Sequence, residues 1–144
     1  MARRLLVLGV VTAALCLSGT ASAAPPEGSL RLTLVPTNEE GLVGPNTFYF
    51  VDAVYQRGRW VGTSRALCRF SGNFESPRCR ITVSLPGGRL FVFVRLTPDP
   101  QGSFKVTGGT GAYQGRTGVG IFRDAGADRT RIVIWLTSQR RPAS

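Results

Sequence analysis

"VTGGTGAYQGRTGVG", residues 106–120, places six glycines and one tyrosine in fifteen positions, and two opposed architectures can be built from it. One is a loop whose backbone N–H groups cradle a phosphate; the other is a corner where a sheet turns. A phosphate loop needs glycines at fixed spacing and a helix behind them, so that converging N–H groups and the helix dipole meet the anion. Gly109 and Gly111 would need a third glycine at position 114, which is Gln114, and a Walker-type loop ending at Gly115 would need glycine at position 110, which is Thr110. After Gly115, Val119 and Ile121 alternate with Gly118, Gly120 and Phe122, a period of two that belongs to strands. The stretch reads as a tight turn or bulge over Gly108–Gly111, followed by a strand in which Gly118 and Gly120 mark a bend or a close approach.

The same period runs outward from it. In "SLRLTLV" (29–35), Leu30, Leu32 and Leu34 share one face and Arg31 and Thr33 the other; in "RCRITVSL" (78–85), Cys79, Ile81, Val83 and Leu85 oppose Arg78, Arg80, Thr82 and Ser84. "NTFYFVDAVY" (46–55) is aromatic and β-branched, and "QRGR" turns it into "WVGTSRALCRF" (60–70). Pro86-Gly87-Gly88 leads into "RLFVFVRL", the loop "TPDPQG" into "SFKVT", and "RTRIVIWLT" closes the series. About eight strands separated by turn residues, with no 3.6-residue period over ten or more positions, define an all-β domain, a barrel or a sandwich. "LFVFVRL" is apolar on both faces, which predicts a covered strand or one whose outer face meets another subunit.

The N-terminus, "MARRLLVLGVVTAALCLSGTASA", has two arginines, an apolar run from Leu5 to Leu17 and the small-residue pattern Ala21-Ser22-Ala23. That is the form of a secretory signal peptide. The run is shorter than the roughly 20 residues of a spanning helix, so no membrane span is expected. Leu15 before Cys16 departs from a lipoprotein signal, and Arg3-Arg4 leaves Sec and twin-arginine export both open. Removal of residues 1–23 leaves residues 24–144, a single domain large enough for a real core, and predicts an extracellular protein.

The chain carries 18 Lys and Arg against 8 Asp and Glu and no histidine. The bases are almost all arginine and are spread without a basic run or helix, a pattern that does not read nucleic acid. Without histidine there is no Ser-His-Asp triad and no His-containing metal site, and no cofactor motif is present. Once Cys16 leaves with the signal, Cys68 and Cys79 remain, enclosing a turn-rich "RFSGNFESPR". A disulfide across this hairpin is expected over metal ligation, and would stabilise by roughly 3 kcal/mol in the chain-entropy description.

With these residues in view, "GGTGAYQGRTG" resembles the Gly-Gly-Thr-Gly-x-(Phe/Tyr) signature of the allene oxide cyclase and dirigent superfamily. "FYFVDAVYQ…VGTSRALC", followed by a second cysteine before "ITVSLPGG", is similar in order and spacing to secreted bacterial members of that group. The resemblance covers most of residues 30–136. It implies an eight-stranded antiparallel calycin-like barrel whose mouth holds an apolar small molecule, often within a homo-oligomer. Plant relatives guide cyclisation or radical coupling, and some bacterial relatives cyclise polyketides.

Asp52 falls where dirigent proteins have an acidic strand-end motif, and it shares a strand face with Phe48, Phe50 and Val54. A carboxylate on an apolar face needs a raised pKa or a bonded partner, so Asp52 is a candidate acid or base, against the plainer reading of a structural carboxylate tied to an arginine or a turn N–H. The dirigent arginine position falls on Thr117, with Arg116 one residue away and on the opposite face. The early Glu, Asn and Pro of the plant cyclase have only loose counterparts in "PTNEEGLVGPN", where Glu39 and Glu40 read as solvated loop residues. Trp60, Tyr55, Tyr113 and Trp135 are candidates for a mouth or for the core. The expected ligand set is Phe50, Asp52, Tyr55 and Tyr113, with Asp52, Arg65 and Arg116 as weak catalytic candidates. Three readings stay open: a secreted barrel that binds an apolar molecule, an isomerase or cyclase using the same cavity, and a filled barrel with a structural or interaction role.

Overall fold

The computed structural model describes residues 28–72 and 76–137. The expected signal segment, residues 1–23, lies outside the described residues. The chain forms eight antiparallel strands: β1 Ser29–Gly44, β2 Thr47–Gln56, β3 Arg59–Arg69, β4 Arg78–Leu85, β5 Gly88–Arg95, β6 Gln101–Gly109, β7 Gly118–Asp124 and β8 Thr130–Leu136. Each pairs with the next, and β1 pairs with β8 from Ser29↔Trp135 to Leu34↔Thr130, so the sheet closes into a barrel. Closure removes the edge strands that an open sheet would leave unpaired. Of the two architectures the strand pattern allowed, the barrel is the one formed.

Alternation sets the inner wall. Leu30 and Leu32, Val54, Ala66, Val83, Leu90, Val92, Val94, Phe104, Val106, Ile132 and Ile134 are buried together, and each Leu, Ile or Val removed from water contributes about 1.5–3 kcal/mol. Many of the outward partners are polar or basic, but Trp60, Leu67, Val119, Ile121 and Trp135 also face out, and the sequence signalled the apolar outer face of β5. Phe91 and Phe93 of β5 point out and are 37% and 39% exposed, while Leu90, Val92 and Val94 point in.

The loops divide between two ends. Hairpins β2/β3 and β4/β5, the β6/β7 connection and both ends of the barrel lie at one end; the β1/β2, β3/β4, β5/β6 and β7/β8 loops lie at the other. The glycine-rich stretch is the closure of the first end. Gly108 and Gly109 finish β6, Gly111–Tyr113 make one 3₁₀ turn, and Gly118 begins β7. Ala112 N–H donates to Gly87 O at 2.9 Å, Thr110 N–H donates to Arg89 O at 2.9 Å, and Arg89 N–H donates to the Thr110 hydroxyl at 3.2 Å. The corner is thereby stitched to the β4/β5 turn, and the buried Tyr113 ring joins the core beneath it. Gly111 has φ +61°, and a Cβ there would run into Gly87 O, so this position tolerates only glycine.

One element differs from expectation. "PTNEEGLVG", read as a loop, is the second half of β1, continued past a bulge between Pro36 and Glu39 and paired with β2 as far as Gly44↔Thr47. Asn38 takes φ 67° in the bulge, and the Thr37 hydroxyl donates to Val51 O at 2.8 Å. The segment is exposed along most of its length, so no buried side-chain rhythm advertised it; its partner strand supplies the order.

Cys68 and Cys79 form the expected disulfide, directly opposite each other across β3 and β4 on the inner face. They lie at the same end as the β3/β4 loop.

Candidate functional site

The inner wall does not fill the barrel completely. An eight-stranded barrel has an interior just wide enough for its side chains or for one small ligand, and here β6 and β7 tip the balance. Phe104 lies across Gly120, its direct cross-strand partner, and Phe122 lies across Gly102 in the same way. The far end of each ring occupies the space that a side chain on the facing glycine would fill. The resulting cavity is about 190 Å³ and is lined by Leu34, Phe50, Ile81, Val92, Leu96 and Phe122 among other apolar groups, with Asp52 and Thr130 as its polar members. These residues sit toward the end opposite Tyr113, so the cavity opens at the β5/β6 and β7/β8 loops.

Asp52 is the chemical feature of that cavity. β2 directs it inward with Phe48, Phe50 and Val54, and it is 8% exposed. Among the described residues no side chain or backbone N–H bonds its carboxyl group. Burial disfavours the charged form and pushes the carboxyl above its ordinary value of 3.8. The opposing residue in β1 is Pro36, which has no N–H to give. The β1 bulge thus places a residue without a donor beside the one buried carboxyl among the described residues.

The other expected site residues are distributed as follows. Phe50 lines the cavity beside Asp52. Tyr55 is half-buried on the outer face, opposite Thr33 and Trp60. Tyr113 is buried at the closed end, where burial raises its phenol pKa, and it is not part of the cavity lining. Arg65 is exposed on the outer face with its guanidinium 5.0 Å from the Tyr49 ring centre. Arg116 stands in the β6/β7 connection at the closed end, its Nε buried without a partner and its N–H donating to Tyr113 O at 3.0 Å. The structure therefore brings together Phe50 and Asp52 and sets neither arginine beside them. Trp60 and Trp135, weighed as mouth or core residues, are neither: they are 65% and 43% exposed on the outside.

Sequence reasoning missed Thr130, Phe104 and Phe122 as cavity residues. Their signal was present in the repeated Gly-x-Phe of residues 102–104 and 120–122, which only the β6–β7 register turns into two crossed Phe-over-Gly pairs.

The closed eight-stranded barrel is shared, at the level of fold, with solved structures that include dirigent proteins. A pyocyanin demethylase superposes with a TM-score of 0.62 at 21% identity, covering 76% of this chain and 100% of that one. Two pterocarpan synthase dirigent proteins superpose with a TM-score of 0.64 at 15% and 14% identity, covering 76% and 79% of this chain and 86% and 96% of theirs. No family model matches the chain. No curated protein matches it either. The resemblance read from the glycine signature is shown as a shared barrel.

Proposed function

We propose that this protein is a secreted barrel that binds one small, largely apolar molecule in the mouth cavity, with Asp52 as its polar anchor. The observation that carries the reading is the cavity itself: about 190 Å³ of apolar-lined space holding a buried carboxyl with no partner among the described residues. An apolar void of about 150 Å³ is enough to take up benzene, so the space suits one ring or a compact bicyclic body. An unpaired buried carboxyl costs free energy that a ligand N–H or O–H would offset. The disulfide fits an oxidising compartment.

A second reading is favoured by the raised pKa of Asp52. A carboxyl that keeps its proton to higher pH can act as general acid at an oxygen of the bound molecule and take the proton back, which is the requirement of an isomerisation or cyclisation without a cofactor. Neither arginine weighed earlier reaches the cavity, so Asp52 would act without a cationic helper.

Titration of the purified chain with 2-naphthol or indole, followed by native mass spectrometry, tests the binding reading. One equivalent should bind, and Val92→Phe, which fills the cavity from within, should abolish it while leaving the fold intact by circular dichroism. Equal uptake by the filled variant would sink the reading.

A further inference from the structure

The cavity does not end at Asp52. β8 begins at Thr130, opposite Leu34, so beyond Leu34 the β8-facing side of β1 has no partner strand. The bulge bends β1 away at this point and leaves a groove of about 250 Å³ lined by Pro36, Asn38, Glu39, Glu40, Val51 and, shared with the cavity, Phe50, Asp52 and Thr130. Cavity and groove adjoin, sharing Phe50, Asp52 and Thr130 as lining.

The charge lining these two adjoining spaces is opposite to that of the protein. The chain has 18 Lys and Arg against 8 Asp and Glu, yet the combined lining holds Glu39, Glu40 and Asp52 and no Lys or Arg. Two other acids near the mouth have local work: Asp99 Oδ1 accepts from Gln101 N–H at 3.3 Å, and Asp124 Oδ1 accepts from Gly126 N–H at 2.8 Å. The three lining carboxyl groups have no hydrogen bond or ion pair among the described residues. Glu40 stands opposite Phe50, which puts it on the inward face as the diagonal neighbour of Asp52, a relation that brings long side chains within mutual reach.

We propose that the site takes organic cations: an apolar body in the barrel and a cationic nitrogen held between Asp52 and Glu40, with Glu39 adding to the attraction at the groove. This rests on the cavity-binding reading and narrows its ligand class. A cationic nitrogen within reach of both would give each carboxyl group the partner it lacks among the described residues, through charge-assisted hydrogen bonds. A neutral ligand could satisfy Asp52 alone, and an anion would meet three carboxyl groups in a site with no base.

The test is a matched set of probes on the purified, disulfide-bonded chain: 2-phenylethylammonium, 2-phenylethanol and 3-phenylpropanoate, titrated calorimetrically at neutral pH and low salt. The ammonium should bind on the order of tenfold tighter than the alcohol, the scale of one partly desolvated charge pair, and the carboxylate should bind weakest. That ratio should fall in Glu40→Gln, approach one in Asp52→Asn, and narrow in 0.5 M salt. Alcohol and ammonium binding equally, or a preference that both variants keep, would overturn the cation assignment while leaving the cavity as a binding site. Binding of none of the three at millimolar concentration would overturn the cavity reading itself, and this inference with it.

Discussion

Asp52 carries a stability cost whose sign can be worked out. Burial raises its carboxyl above the ordinary value of 3.8, so the folded chain holds that proton more tightly than the unfolded chain does. The contribution is most favourable below the ordinary value and is lost as pH rises through the raised one. Asp52→Asn should therefore unfold at higher urea concentration than the wild type at pH 7, with the gap closing toward pH 3. A wild type as stable as the variant at pH 7 would mean that the carboxylate is paired in solution. Gly120 offers a second check. A Cβ there collides with the end of the Phe104 ring, so Gly120→Ala should cost about 1–3 kcal/mol as overpacking and push the ring into the cavity, reducing uptake of 2-naphthol. Adding Phe104→Leu should restore both stability and uptake; an additive double variant would show that the pair is not coupled.

The glycine corner and the disulfide hold opposite ends of the barrel, and each can be weighed. Gly111→Ala puts a side chain at φ +61° and against Gly87 O, so it should lower unfolding free energy by at least about 2 kcal/mol in denaturant titration. Reducing Cys68–Cys79 should cost roughly 3 kcal/mol and lower Tm by on the order of 10 °C or more; an unchanged Tm in reductant would show that the β3/β4 hairpin holds itself. Most of these strands were legible because a half-buried strand writes its burial into every second residue. Residues 36–44 were not, since that part of β1 is exposed, carries Pro36 and adjacent glutamates, and owes its order to β2. The site was legible only within one strand. Parity along β2 put Phe50 and Asp52 on one face and Tyr55 on the other, whereas the face of Arg65 relative to Asp52 depends on cross-strand register, which no local pattern records. Arg116 and Tyr113 belong to the closed end, a fact of topology and not of composition.

Packing is uneven along the barrel. The end closed by Tyr113 has the largest fully buried side chains, Leu90, Ile134 and Val54, while the mouth retains open space. A ligand that enters there stabilises the chain by mass action, about 2.7 kcal/mol at a hundred times its Kd. Amide exchange should slow most at Phe50–Asp52 and Val92–Leu96 when the ligand is added and change little around Leu90 and Ile134. Uniform slowing, or slowing confined to the outer strand faces, would place the ligand elsewhere. A last consequence follows from the pairing of Ser29 with Trp135. Strands β1 and β8 begin and end side by side at the closed face, so a fusion partner joined through Ser29 or Leu136 would meet the barrel on the side away from the mouth.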